Sequence, residues 1–215
     1  MHEHIRPASQ STRRRKNDPA GVRGRILDAA FELFQRQGYN ATSVHEIAAA
    51  AGVTGGALHH HFPTKKAIGL EVIDERVTFA LQKLWLEPVR SSPDPRGAVL
   101  QVFESLASEL DRQGSVCGCP VNNLTLELAF GDPEFRARLR RLFEGWRETL
   151  CAKFGGDRYA RSLATLIIAT YSGAMAFAKV EQSGEALKIC AVQLGSFFQS
   201  SRELTGPTEQ PVRTS

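Results

Sequence analysis

The sequence predicts an all-α protein that consists of a three-helix N-terminal domain of the helix-turn-helix type and a larger helical C-terminal domain. Apolar residues recur at helical spacing along most of the chain, and no segment has the alternating pattern of a strand. Ser43 and Glu46 have the spacing of a capping box, and Gly52 follows eight residues of the second predicted helix. Two short helices joined at such a glycine are typical of a helix-turn-helix.

Composition limits the class of protein before any motif is considered. The chain has 215 residues with 42% hydrophobic content, enough for one sizeable core or for one core and a small module. Its apolar runs are shorter than the roughly 18 to 20 residues of a membrane span, and the N-terminus has no apolar signal segment. We therefore expect a cytoplasmic protein without a membrane partner. Its four cysteines are expected to be free thiols: Cys117, Cys119, Cys151 and Cys190.

The positive charge is concentrated near the N-terminus. Arg13, Arg14 and Arg15 precede Lys16, and residues 1–18 form a predicted flexible, basic arm. Such a run is either a solvated tail or an arm that follows a phosphate backbone. The type of domain that follows the arm determines which of the two interpretations applies.

Three helices are predicted directly after this arm. The first begins at Pro19, has an apolar stripe that includes Ile26, Ala30 and Phe34, and ends at Gly38. The capping box at Ser43 opens the second. Thr54 is a good N-cap for a third helix of about two turns that extends to Phe62.

The third helix carries three consecutive histidines, and its geometry argues against a metal site. Successive helical residues are about 100° apart, so His59, His60 and His61 cannot converge on one ion. If Leu58 and Phe62 are buried, then Gly56, His59 and His60 point outward. Glycine weakens a helix, so its presence here favours close approach of another surface, of which the DNA major groove is one. The alternative is that the histidines are simply solvated.

The stretch "ILDAAFELFQRQGYNATSVHEIAAAAGVTGGALHHHFPTKKAIGLEVI" resembles the N-terminal domain of TetR-family transcriptional regulators. The resemblance implies a domain at residues 19–66 with its helix-turn-helix at about 43–62, and a double-stranded DNA operator as partner. The DNA-binding residues that it implies are Thr42, Ser43, Thr54, Gly55, Gly56, His59, His60 and Lys65, and the basic arm adds Arg13, Arg14 and Arg15. Gly55 and His59 stand where the family often has Lys and Tyr.

The remainder of the chain is predicted to be helical from residue 67 to residue 204, and residues 205–215 form a polar, flexible tail. One helix is expected to stop before Pro88, and others begin at Pro95, Pro120 and Pro133. The last two helices, at about 157–204, are more apolar than a single core stripe requires. They are either an internal packed pair or, as the resemblance also implies, the homodimer interface.

The resemblance further implies that the C-terminal domain binds a small-molecule effector. The residues that we expect to contact it are Trp85, Phe103, Cys117, Cys119, Asn122, Asn123, Phe130, Trp146 and Tyr171; the alternative is that the aromatic and amide residues are simply part of the core. Cys119 precedes a helix start, where the helix dipole favours a thiolate, so Cys117 and Cys119 are also candidates for a thiol-reactive signal. The alternative is that these cysteines are inert core residues.

No constellation of an enzyme is recognisable, because the sequence has neither a nucleophile with its base nor a phosphate loop at known spacing. We expect no cofactor and no metal. The function predicted is a DNA-binding regulator, in the default case a repressor that releases its operator when an effector acts on the C-terminal domain. The alternatives are a constitutive DNA-binding regulator without a ligand, or an activator.

Overall fold

A computed structural model describes residues 19–203, and these form helices without a strand among them. Most of the helices begin where a capping residue or a proline satisfies or removes the first orphan backbone donors, as at Ser43, Thr54 and Pro133. The helices are α1 (Pro19–Gln37), α2 (Val44–Ala51), α3 (Gly55–His61), α4 (Lys65–Glu71), α5 (Thr78–Leu81), α6 (Glu87–Ser91), α7 (Pro95–Gln113), α8 (Pro120–Leu128), α9 (Pro133–Lys153), α10 (Arg158–Glu181) and α11 (Glu185–Glu203). The predicted arm and tail lie outside the described residues.

The chain divides into two compact units, and the boundary falls between Val72 and Ile73. The sequence-based boundary after residue 66 differs because α4 belongs to the first unit. Ile68 of α4 is buried, and Glu71 forms an ion pair with Arg23 of α1.

The core of the first unit is made by one apolar face from each of its helices. Leu27 and Phe34 of α1, Ile47 of α2 and Leu58 of α3 are all buried. Since α3 is too short to be stable alone, this burial is what holds it in place. The stripe predicted for α1 is therefore the surface on which α2, α3 and α4 pack.

The segments from α4 to α6 follow one another without a break in helical backbone. Two π-helical segments, Val72–Val77 and Gln82–Leu86, separate the α-helical parts. The prediction that this helix stops before Pro88 is wrong, because it continues to Ser91. The second π-helical segment changes the hydrogen-bond pattern, so that Pro88 lies in the first turn of α6, where its missing N–H costs little.

The second unit surrounds an aromatic cluster, by which we mean Trp85, Phe103, Trp146 and Tyr171. All four are buried. Their neighbouring ring centroids are 5.0 Å apart for Trp85 and Tyr171 and 5.1 Å apart for Trp85 and Trp146. Tilted and edge-on contacts of this kind add to the apolar burial. The cluster joins the π-helical segment Gln82–Leu86 to α7, α9 and α10.

Helices α10 and α11 each have a buried and an exposed apolar face. Leu187, Leu194 and Phe198 of α11 point into the unit, whereas Ile189 and Val192 are exposed. The exposed apolar face comprises Tyr159, Leu166, Phe177 and Val180 of α10 and Ile189, Val192 and Phe197 of α11. By length and composition alone α10 is apolar enough to cross a membrane, but its buried side packs on α9 and α11, as in a core helix.

Candidate functional site

The turn between α2 and α3 has the geometry of a helix-turn-helix. Ser43 accepts a hydrogen bond from the Glu46 amide at 3.1 Å, and the Glu46 carboxylate accepts from the Ser43 amide at 2.8 Å. Gly52 ends α2 with φ of 64°, a left-handed conformation that favours glycine. Thr54 caps α3 by accepting from the Ala57 amide at 3.1 Å. The local signals in the sequence therefore predicted this turn correctly.

Helix α3 presents a face that the domain itself does not use. Leu58 is fully buried, whereas Gly55, Gly56, His59 and His60 are exposed, and we call these four residues the recognition face. A Cβ atom built on Gly55 or Gly56 would have no atom within 4 Å. Internal packing therefore does not require these glycines, although each costs helix stability. Close approach of an external partner to the α3 backbone would explain both glycines.

The histidines do not form a metal site with other side chains. The described residues contain no group of three His, Cys, Asp or Glu side chains placed to hold an ion. The rings of His60 and His61 meet edge-on, with centroids 5.4 Å apart. His59 and His60 are free to present ring N–H groups and acceptors outward, which are groups that can contact base edges or phosphates.

Two of the predicted phosphate contacts need correction. The Thr42 side chain is only 1% exposed, and its hydroxyl donates to the Gly38 carbonyl at 2.7 Å, so the prediction that it meets a phosphate is wrong. Lys65 Nζ donates to the carbonyls of Tyr39, Asn40 and Thr42 at 3.1, 3.3 and 2.9 Å. Because an ammonium has three donors, Lys65 serves as an internal cross-link and not as the predicted phosphate contact.

Ser43 and Thr54 remain at the surface as the N-caps of α2 and α3. Both are exposed, and each uses its oxygen as an acceptor for a cap, which leaves the hydroxyl proton for another acceptor. Thr54 directly precedes Gly55 of the recognition face, and Ser43 lies at the start of the preceding helix. Arg13, Arg14 and Arg15 lie outside the described residues.

The predicted effector-binding residues separate into two groups, and Phe130 and Cys117 belong to neither. Trp85, Trp146 and Tyr171 of the aromatic cluster line a cavity of only about 30 Å³, far below the size of a small-molecule site. All four rings are buried, and Trp146 also lines a second cavity of about 260 Å³ together with Arg90 and Arg138, so the contact of these rings with an effector stays a prediction. Phe130 is 97% exposed, so its predicted role as a pocket wall is wrong.

The second group lines a larger cavity between α8 and α10, of about 420 Å³, which we call the α8–α10 cleft. Asn122 and Asn123, predicted as polar contacts, both line it together with Cys119. Asn122 is bonded to Ser172, with the Ser172 hydroxyl donating to Oδ1 at 3.1 Å. This volume lies in the range of small-molecule sites.

Sequence reasoning missed the cation of this cleft. Lys179 of α10 donates from Nζ to Asn123 Oδ1 at 3.3 Å, across 56 positions of the chain. No local pattern marks a lysine at this point of an apolar helix. Leu126 and Met175 also line the cleft and were not predicted.

The cysteines do not have the predicted reactive geometry. Cys119 is only 5% exposed, and burial raises the pKa of its thiol, outweighing the lowering effect of the Asn122 and Val121 amides at the start of α8. The prediction of a low pKa at this helix start is therefore wrong. Cys117 is half-buried and contributes its carbonyl, which accepts from Asn123 Nδ2 at 2.9 Å.

Comparison with known proteins agrees with this architecture. Residues 26–72 match the family model described as bacterial regulatory proteins of the tetR family. Residues 95–193 match the model of the C-terminal domain of LmrA/YxaF-like transcriptional regulators. The two models together account for both units of the fold.

Individual relatives are regulators as well. The chain is 29% identical over 179 residues to the uncharacterized HTH-type transcriptional regulator YxaF of Bacillus subtilis strain 168, covering 80% of this chain and 92% of that protein. It is 28% identical over 175 residues to the HTH-type transcriptional repressor DhaR of Mycobacterium sp. strain GP1, covering 77% and 86%.

A crystal structure of a TetR transcriptional regulator from Chloroflexus aurantiacus J-10-FL superposes with a TM-score of 0.73 at 26% identity, covering 84% of this chain and 96% of that chain. These relatives are regulators and not enzymes. The chain belongs to the TetR family of DNA-binding transcriptional regulators.

Proposed function

We propose that the protein is a homodimeric repressor that occupies a DNA operator in the cytoplasm and releases it when a small molecule binds the C-terminal unit. The observation that carries the proposal is the recognition face of α3. It is exposed, anchored from behind by Leu58, and includes two glycines that have open space in front of them. In a helix-turn-helix, this helix enters the major groove.

The division of labour within the first unit follows from chemistry. His59 and His60 have ring groups that read base edges, while Ser43 and Thr54 have hydroxyl groups suited to phosphate oxygens. Gly55 and Gly56 let the backbone approach the DNA. Residues 1–18, with Arg13, Arg14 and Arg15, supply sequence-independent attraction to the phosphates.

Dimer formation is supported by the exposed apolar face of α10 and α11. Exposed aliphatic and aromatic side chains of this extent on two adjacent helices indicate an interface with another molecule. The partner that we propose for this face is a second copy of the chain, since TetR regulators act as dimers. A two-fold axis through this face would give each dimer two recognition helices, one for each half of an operator.

Repression and ligand control are supported by the relatives and by the α8–α10 cleft. DhaR, which matches over most of its length, is a repressor. The cleft gives the C-terminal unit a concave, mostly apolar site of suitable volume.

The DNA-binding part is tested with duplexes selected from a random pool by the purified protein. His60→Ala should change the order of preference among selected duplexes, because a base contact is lost. Deletion of residues 1–16 should weaken binding to all of them and flatten the salt dependence. Failure to select any duplex would overturn the proposal. Repression is then tested with a reporter that carries the selected duplex in its promoter, where an activator would raise expression.

The dimer is tested with Val192→Asp, since Val192 is 65% exposed in the isolated protomer. A charge buried without a partner costs several kcal/mol, so this variant should be a folded monomer in light scattering and should lose most operator affinity. Gln101→Asp adds the same charge at an exposed position of α7 and should remain a dimer. An unchanged dimer for Val192→Asp would show that the interface lies elsewhere.

A further inference from the structure

The α8–α10 cleft has one polar end, and a single cation lies there. Lys179 is the only charged side chain among the described residues that line the cleft. Its ammonium donates to Asn123 Oδ1 at 3.3 Å, and the Asn123 amide is itself held by the Cys117 carbonyl at 2.9 Å. The positive charge is therefore fixed beside a neutral amide.

The backbone at this end is shaped to bring the two side chains close. Gly118 has φ of 90°, a conformation that L side chains rarely adopt. A Cβ atom at Gly118 would lie 3.0 Å from Asn123 Oδ1 and 3.1 Å from Lys179 Cδ. Only glycine leaves this room, so the loop before α8 forms the floor of the polar end.

Two of the side chains that line the cleft are aliphatic and exposed. Leu126 of α8 is 84% exposed and Val180 of α10 is 85% exposed, although both line the cleft. Met175 is buried at its back. Two aliphatic side chains this exposed on either side of a cavity are covered favourably by an apolar molecule between them.

The open side is also next to the exposed apolar face of α10. Val180 belongs both to that face and to the cleft, and Phe177 lies one turn earlier. If a second copy covers the exposed apolar face, it also covers this edge of the cleft. The cleft would then be complete only in the dimer.

We propose that the α8–α10 cleft is the effector site, that it takes an amphipathic molecule with an apolar body and one carboxylate, and that the partner copy closes its open edge. The carboxylate accepts from Lys179 Nζ in place of Asn123 Oδ1, and the apolar body lies between Leu126 and Val180. The role of the bound molecule as an effector rests on the function proposed above. The existence of a binding site for such a molecule does not.

The test uses full-length protein without DNA and three probes of equal chain length: decanoate, 1-decanol and decylamine. Isothermal titration should give the tightest binding for decanoate. Lys179→Met should weaken decanoate by about tenfold or more, as expected for the loss of a charge-assisted hydrogen bond, and leave 1-decanol unchanged. Lys83→Met, which removes an exposed lysine far along the chain, is the control and should leave decanoate binding unchanged.

Two substitutions at one exposed position separate charge from shape. Leu126→Lys and Leu126→Glu remove the same apolar contact, so any difference between them is electrostatic. Decanoate should bind Leu126→Lys more tightly than Leu126→Glu, and 1-decanol should bind the two equally. No decanoate binding to the wild type, or equal binding to wild type and Lys179→Met, would overturn the site.

Two further measurements separate this inference from the proposed function. The monomeric Val192→Asp variant should bind decanoate more weakly than the dimer does, and equal affinity would overturn closure by the partner. Decanoate should also release the selected duplex from the wild type. Binding that depends on Lys179 without release would leave the site standing and refute its role as the effector site.

Discussion

Replacement of Gly56 by alanine should stabilise the protein and weaken DNA binding, two effects of opposite sign from one methyl group. Gly56 has no positive φ, and a Cβ atom there would have nothing within 4 Å. Alanine is favoured over glycine by about 0.5–1 kcal/mol inside a helix, and this is the upper limit of the gain at Gly56, the second residue of α3. For a chain of this size, such a gain raises the midpoint of thermal unfolding by about 1–4 °C.

The loss of affinity follows if DNA contacts the α3 backbone. A methyl group forced into a packed interface costs about 1–3 kcal/mol, or about 5- to 150-fold in the dissociation constant. Differential scanning calorimetry measures the stability and fluorescence anisotropy with a selected duplex measures the affinity. Gly55→Ala should act in the same direction.

Gly145 provides a matched control for this substitution. It lies within α9, is exposed, and has open space at its Cβ position as Gly56 does. Gly145→Ala should therefore stabilise the protein and leave DNA affinity unchanged. If Gly56→Ala bound the selected duplex as tightly as the wild type, close backbone approach would not be the reason for the glycines.

Three further predictions concern other parts of the chain. Lys65→Met should lower the free energy of unfolding by about 1–3 kcal/mol in denaturant titration, because three carbonyls lose their donor; an unchanged stability with a smaller salt slope would instead indicate a phosphate contact. Iodoacetamide at pH 7.5 should label the half-buried Cys117 before the buried Cys119, as measured by mass spectrometry. Labelling of Cys119 first would support the hypothesis that its thiol is reactive. The hydrogen bond from Lys188, followed by that from the Gly184 amide, lowers the pKa of Asp111. The stability gained is complete above the ordinary aspartate pKa of about 3.9 and is lost as the pH falls through the lowered folded-state value, so Asp111→Asn should destabilise at pH 7 and lose this effect in strong acid.

The ends of the helices could be predicted because their signals are local. Ser43 and Glu46 satisfy each other across three residues, and Asp132 caps α9 through the amides of the next two residues after Pro133. The end of α6 could not be predicted in this way. A proline normally stops a helix, and the π-helical segment before Pro88, which changes that outcome, has no recognised sequence signal.

The same distinction between local signals and tertiary packing applies to the candidate sites. The recognition face could be predicted because helical spacing alone places Gly56 and His60 about 160° and His59 about 100° around the helix axis from Leu58. Burial of Thr42 depends on how the loop after α1 folds back on Gly38, and the position of Lys179 depends on the packing of α8 against α10. Both are consequences of tertiary structure, which residue type and spacing do not specify.

The excess of apolar residues in the last two helices was correctly noticed, yet the sequence could not separate its two causes. Leu194 and Val192 are two positions apart on α11 and therefore about 200° apart around its axis. Leu194 is 5% exposed and packs within the protomer, whereas Val192 is 65% exposed. A charge at residue 194 therefore disrupts the core of each protomer before any question of association arises, while a charge at residue 192 leaves that core intact. Only the second substitution can report on the dimer, because only there do folding and association depend on different faces of the same helix.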